Sequence, residues 1–405
     1  MTHSLDKGIA SKVEQHEMTT VYWNVQDLFA EGKEINPQKI TTVPAMEEAA
    51  TLIRAGGIVA FPTETVYGLG ADARSTEAVE SVFAAKGRPS DNPLIVHIAD
   101  RSQLDELVTE IPPVAHMLMD IYWPGPLTIV LPVRPEALSN GVTAGLDTVG
   151  IRMPDHPIAL ALILAADCPI AAPSANRSGR PSPTLASHVS EDLDGRINGI
   201  LDGGSAGVGV ESTVVRVFSN GDVQVLRPGG ITIEQLNSVT GATVVSVGGA
   251  ASEAKSAFTP GHLVKSPHTD ASDSISEPPR SPGVKYTHYA PQGELSIVRG
   301  SSPQVVASHI REQLDEASKA GLMTGLLVFD EHLPFYGSDP ANLVISLGSL
   351  ATPADAAHRL YAALRRFDEL GVSYMLSEAC PEDGIGEAVM NRLVKAAGGR
   401  IIDMN

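Results

Sequence analysis

Two cysteines in 405 residues, Cys168 and Cys380, are too few for a disulfide framework or a structural zinc site. Cys168 stands before Pro169 at the head of an apolar run, where a free thiol packs as a small hydrophobe. Cationic charge is also scarce. There are 29 Lys+Arg against 48 Asp+Glu, a net −19, which excludes binding of nucleic acid by broad surface electrostatics. No apolar run approaches the ~20 residues needed to cross a bilayer. The longest, residues 158–166, reads as a buried helix. Residues 1–20 are polar and charged and lack the apolar core of an export signal. Together these absences point to a cytoplasmic protein in a reducing compartment, away from membranes.

What is present is the composition of a globular protein, 43% hydrophobic and 19% charged, on a chain long enough for two or more domains. Residues 1–38 are polar and irregular and read as an N-terminal extension. From 39 to 245 strands and helices alternate. Helical spacing runs over 45–55 and again over 76–85, where Ser75 offers a cap. Strands are predicted at 58–61, 94–98, 127–133, 148–153, 170–172, 212–218 and 223–226. Residues 246–293 begin with a run rich in Ser, Ala, Gly and Pro that buries little apolar area, so they read as a linker. A second alternating pattern fills 294–405, with strands at 295–298, 326–329 and 374–377 and helices at 303–319, 354–367 and 385–397. It predicts a smaller α/β domain.

Polar groups gather at the ends of apolar strands, where α/β proteins place their chemistry. Residues 61–98 hold three such signatures: Thr63-Glu64-Thr65, Lys86-Gly87-Arg88 and Asn92 with His97. Lys86 is the one lysine between Lys39 and Lys255. Followed by Gly87, it serves equally as a helix-terminal cation or, with Arg88, as a phosphate clamp. Thr63-Glu64-Thr65 is either a locally bonded turn or a small polar pocket. His97 lies within a strand, with no His and carboxylate at metal-ligand spacing beside it. Arg152, in an apolar strand, demands a carboxylate or phosphate partner, from a ligand or from within the protein. Residues 172–176 end a strand with a hydroxyl and an amide. Residues 207–213 bring a glycine-rich turn into a strand without the Gly-Lys-Ser/Thr of a P-loop.

In their order these segments resemble one family. PTETVYGLG, AKGRPSDNPLIVHI, WPGPLT, GIRMPDHP, APSANRSGRPSPT, GVESTVV and LRPGG are similar to the successive motifs of YrdC-type L-threonylcarbamoyl-adenylate synthases. SPGVKYTHYAP and GIGEAVMNRLVKAAGGR resemble the linker and C-terminal motifs of its long, two-domain form. The resemblance covers residues 39–405. It implies a twisted mixed α/β sheet with a concave active-site face, plus a smaller Rossmann-like α/β C-terminal domain. The implied reaction joins L-threonine and bicarbonate or CO2 as N-carboxy-threonine, whose carboxylate attacks the α-phosphate of ATP. Pyrophosphate leaves, and L-threonylcarbamoyl-AMP goes to a downstream transferase complex that modifies an adenosine in tRNAs reading ANN codons.

By the same resemblance, Thr65, His97, Arg152 and Ser212 match positions that hold threonine. Lys86, Arg88 and Asn92 match the ATP-phosphate side, with Lys86 and Arg88 carrying the catalytic charge stabilisation. Thr148, Ala172, Ser174, Ser182 and Arg227 match further nucleotide contacts, and Tyr286 lies in the linker motif that folds over the site as a lid. Mg2+ is expected to accompany ATP, bridging phosphate oxygens with no protein side chain as ligand. Two other functions share this fold. One is a double-stranded RNA or tRNA-binding module, or at least a weak tRNA contact, against which residues 39–245 weigh with 13 Lys+Arg and 23 Asp+Glu. The other is a carbamoyltransferase using carbamoyl phosphate, whose hydrogenase-maturation members carry paired-cysteine zinc motifs absent here.

Overall fold

A computed structural model describes residues 18–29, 35–241, 244–246 and 289–404. Two sheets organise them. The first has eleven strands: β1 (Val21–Asn24), β2 (Val59–Phe61), β3 (Gly68–Asp72), β4 (Ile95–His97), β5 (Leu127–Pro132), β6 (Thr148–Arg152), β7 (Ile170–Ala171), β8 (Gly199–Asp202), β9 (Thr213–Val217), β10 (Val223–Arg227) and β11 (Val244–Ser246). Their spatial order is β1-β8-β2-β3-β7-β4-β6-β5-β9-β10-β11. Parallel pairs such as β4 with β6 alternate with antiparallel ones such as β4 with β7, so the sheet is mixed.

Sequence patterning located most central strands but not β3. Its GLGAD gives no strand signal because glycine disfavours strands. The reason for glycine is packing: a Cβ on Gly70 would lie 2.7 Å from the Phe61 ring and 2.8 Å from Ile170. The helix Thr76–Lys86 begins under Ser75, whose hydroxyl accepts the Ala78 N–H at 3.2 Å, and ends at Gly87 in the left-handed region. That cap leaves Lys86 on the last turn, buried and facing the sheet's strand ends.

The expected N-terminal extension is in part a piece of this sheet. β1 runs parallel to β8, pairing Val21 with Gly199 through Asn24 with Asp202. Trp23 packs over Gly199, where a Cβ would meet its ring at 2.3 Å, and its indole N–H donates to Glu48 at 2.8 Å. A four-residue strand with one buried side chain lacks the alternation needed to stand out from a polar segment.

The second sheet is wholly parallel: β12 (Glu294–Arg299), β13 (Thr324–Val328), β14 (Leu343–Ser346), β15 (Tyr374–Glu378) and β16 (Ile401–Asp403), in the order β14-β13-β15-β12-β16. Helices Pro303–Lys319, Pro353–Glu369 and Gly386–Ala396 cover it. Most of the expected linker, Tyr286 included, lies outside the described residues.

The two units share a core. Val66 and Val210 of the first pack in one apolar cluster with Leu360, Tyr361 and Val389 of the second. Gly209, at φ +83°, leaves room for the Ala357 carbonyl, which a Cβ would meet at 2.4 Å. Two fully buried arginines cross the boundary. Arg365 donates to Asp192 at 2.8 Å and to the Pro181 carbonyl at 2.7 Å; Arg392 donates to Glu211 at 3.0 Å and to the Pro228 carbonyl at 2.7 Å. Removing the partner of a buried ion strands an uncompensated charge. Asp192→Ala is expected to lower the unfolding free energy by about 3 kcal/mol, the low end for a broken buried pair because Glu191 also reaches Arg365, as measured by urea denaturation.

Candidate active site

Strand ends from across the first sheet open onto one cleft. The loop after β2 contributes Thr63 and Thr65; His97 and Arg152 end the paired strands β4 and β6, where they stand side by side in register. Ala172 and Ser174 follow β7, Ser212 precedes β9, and Arg227 ends β10. Lys86 and Arg88 come from the end of the Thr76–Lys86 helix.

Arg152 is the organising group of one half. Its Nη1 donates to Thr65 Oγ1 at 3.0 Å and its Nε to the Gly125 carbonyl at 3.3 Å. Thr63 donates to the Val66 carbonyl at 2.7 Å, so the 2.8 Å contact between the two threonines runs from the Thr65 hydroxyl to Thr63 Oγ1. The hydroxyls thus form a directed chain that begins at the guanidinium. The internal partner demanded by Arg152 is Glu64, with Oε1 at 2.6 Å from Nη2, although no donor meets either Glu64 oxygen in good hydrogen-bond alignment. His97 packs edge-on to Phe61 at 6.3 Å. Burial, then the Arg152 charge, pushes its pKa down to about 3, so at neutral pH it is an uncharged imidazole whose Nδ1 has no hydrogen-bond partner among the described residues. Ser212 is held by Thr128 Oγ1 at 2.8 Å and by Arg227 Nη2 at 3.2 Å.

The other half is cationic. Lys86 Nζ donates to the carbonyls of Ser174, at 2.5 Å, and Asn176, while the Asn176 side chain stands at 3.5 Å. Burial and then Arg88 lower its pKa well below the usual lysine range. Arg88 grips the Asn92 and Pro93 carbonyls at 3.3 and 3.0 Å, which fixes the turn after the helix.

Three expected site residues stand off this wall. Thr148 lines a smaller apolar slot with Val130, Leu146 and Val214, which shares Pro93, Leu94 and Ile95 with the main cleft. Asn92 is buried, and its side-chain amide has no hydrogen-bond partner among the described residues. Ser182 donates to Glu211 at 2.6 Å and reaches the cleft through that residue.

Sequence reasoning places Glu64 in a polar signature without a role of its own, and assigns none to Glu211 or Tyr289. Glu211 lies in the GVEST segment and lines the cleft beside Ser212. Tyr289 lines it too, stacked on Tyr361 at 5.2 Å, three positions beyond the expected Tyr286. A carboxylate inside a glycine-rich turn gives no sequence signal of a buried partner. Only the fold brings Arg392 to it.

Comparison with known proteins follows this geometry. Residues 51–229 match the Sua5_yciO_yrdC family model, described as telomere recombination, and residues 231–398 match the model for the C-terminal domain of threonylcarbamoyl-AMP synthase. The chain is 50% identical to the threonylcarbamoyl-AMP synthase of Bacillus subtilis, over 91% of this chain and 97% of that one. It is 42% identical to the synthase of Schizosaccharomyces pombe, over 88% and 89%. Among solved structures, Pyrococcus abyssi Sua5 complexed with L-threonine superposes with a TM-score of 0.78 at 42% identity, covering 95% of this chain and all of that one.

The His97 environment has a consequence for stability. Above pH 6.5 the imidazole is neutral folded or unfolded. As pH falls toward 3 the unfolded chain takes a proton that the folded site refuses, and stability is lost throughout that window. By pH 5 this amounts to about 2 kcal/mol, at about 1.4 kcal/mol per pH unit. Denaturation of His97→Asn between pH 7 and 5 should show a correspondingly shallower loss than the parent protein.

Proposed function

The chain belongs to the two-domain threonylcarbamoyl-AMP synthase family, and from that premise we propose how it makes L-threonylcarbamoyl-AMP from L-threonine, bicarbonate or CO2, and ATP. The protein is an ATP-dependent transferase of the nucleotidyl kind. One observation carries the mechanism: a single cleft is lined both by the Thr65–Arg152 pair with His97 and Ser212, and by Lys86, Arg88 and Arg227.

Threonine binds in the first half. Arg152 has guanidinium hydrogens beyond those used by Thr65 and Gly125, and these receive the carboxylate, while Glu64 keeps the guanidinium neutralised and oriented. His97 offers its Nδ1, without a partner among the described residues, as an uncharged acceptor. The threonine amine loses a proton and adds CO2, and the resulting carbamate oxygen attacks the α-phosphorus as pyrophosphate departs. No protein nucleophile is needed, because the attacking oxygen is already anionic. The protein's part is positioning and charge stabilisation.

Lys86, Arg88 and Arg227 face the triphosphate. Two Lys86 hydrogens go to loop carbonyls, and the third, at most weakly held by the Asn176 side chain at 3.5 Å, can turn to a phosphate oxygen. The apolar slot around Thr148 suits the adenine edge. The charged side chains lining the cleft are mainly cations, and the one lining carboxylate among the described residues, Glu211, is taken up by Ser182, Tyr361 and Arg392. Among the described residues no cluster of His, Cys, Asp and Glu is placed to hold a metal. Mg2+ would enter as the counter-ion of ATP, supplying further charge neutralisation. The product, a mixed anhydride prone to hydrolysis, passes in the cytoplasm to a transferase acting on tRNA.

Pyrophosphate release with ATP and bicarbonate tests the assignment, with threonine replaced by serine, glycine or nothing. Release independent of threonine overturns it. Arg152→Ala is expected to raise the KM for threonine by roughly tenfold or more, the scale of a lost charge-assisted bond, with a much smaller change for ATP. Lys86→Ala should chiefly lower kcat.

A further inference from the structure

Glu211 is held from two sides. From its own domain the Ser182 hydroxyl donates to Oε1 at 2.6 Å. From the second domain the Tyr361 hydroxyl donates at 2.9 Å to Oε2, and Arg392 Nε donates to the same oxygen at 3.0 Å. Burial alone would raise the Glu211 pKa; the Arg392 and Arg227 guanidiniums and the Ser182 hydroxyl overcome that and bring it to about 2. The carboxylate is therefore a fixed anion at any physiological pH, with its oxygens spoken for.

We infer that Tyr361 and Arg392 are positioning residues for the nucleotide half of the cleft, acting across the domain boundary through Glu211 on Ser182 and Arg227. The inference rests on the synthase reading above. The asymmetry of the contacts says which substrate feels it. Among the described residues, Ser182 Oγ is held by Glu211, so loosening the carboxylate frees it. Ser212, on the threonine side, also meets Arg227 Nη2 at 3.2 Å, but it keeps a second tether at Thr128 Oγ1, 2.8 Å away, that involves neither Glu211 nor the second domain. Thr65 and Arg152 are anchored by Thr63, Gly125 and Glu64, none of which touches the second domain's arginine. Arg392 also grips the Pro228 carbonyl next to Arg227, so its loss disturbs that guanidinium from both sides.

The test uses the full chain and three variants. Tyr361→Phe removes one hydroxyl and keeps the ring; Arg392→Lys keeps the charge and loses the fork. His358→Ala deletes a different contact across the same boundary, His358 Nδ1 to the Gly207 carbonyl at 2.9 Å, without touching Glu211. KM for ATP and for threonine are measured by pyrophosphate release, with binding of a non-hydrolysable ATP analogue in the absence of threonine and melting temperature alongside. Tyr361→Phe and Arg392→Lys should each raise KM for ATP and Kd for the analogue roughly tenfold, the scale for a hydrogen bond to a buried charge, and shift KM for threonine by less than about threefold. His358→Ala should leave both constants unchanged. A parallel rise in both KM values, or an ATP KM within about twofold of the parent for Tyr361→Phe, overturns the coupling. If Arg392→Lys fails to fold, the isosteric Tyr361→Phe decides alone. If the parent protein releases pyrophosphate without threonine, the synthase reading fails instead, and the two failures are told apart.

Discussion

An arginine shut away from water must find a carboxylate, and three such pairs determine how this molecule is put together. Arg152 takes Glu64, Arg365 takes Asp192, and Arg392 takes Glu211. Isolated, each guanidinium would carry a desolvation cost of several kcal/mol. Paired, each becomes a rigid strut, because the planar fork satisfies several oxygens in one geometry. Arg152 ties the loop after β2 to the end of β6 and so gives the cleft its floor. The other two tie the second sheet's helices to the first domain beside that cleft.

The second domain is consequently part of the cleft's scaffold. A long linker rich in Ser and Pro suggests a partner domain that swings as a lid. The buried pairs and the shared apolar core argue for fixed docking, since moving the domain would expose both arginine–carboxylate pairs together with Tyr361 and Val210. The cleft's water exclusion then depends on groups such as Tyr289, which already stands on the wall against Tyr361.

What could be read from the chain follows from how local each cause is. The helix ending at Lys86 is written in adjacent residues: a serine cap, apolar spacing and a glycine stop. The strands ending at His97 and Arg152 show as short apolar runs closed by polar residues. Arg152's need for an anion follows from its setting alone. The partner's identity does not, because Glu64 is 88 positions away in sequence and the contact exists only once β2 and β6 share a sheet. Arg365 and Arg392 were illegible for another reason. On an amphipathic helix a single arginine looks like part of a solvated face, and only domain packing turns that face inward. Glycine hid β3 for a related reason, since Gly70 is set by close approach to Phe61, a contact far from local in the chain's patterning.

The same pairing logic reconciles an acidic protein with a polyanionic substrate. The net −19 is a sum over the whole chain, and its exposed charges are screened by water and salt within roughly 8 Å. The cleft cations are few but buried: Lys86, Arg152 and Arg227 are each at most 5% exposed. In that low-dielectric setting a charge acts more strongly on a bound phosphate than any exposed lysine. A small anion that fits the cleft meets concentrated positive charge. What such an anion encounters is thus decided by where the cations are placed and not by the net charge of the chain.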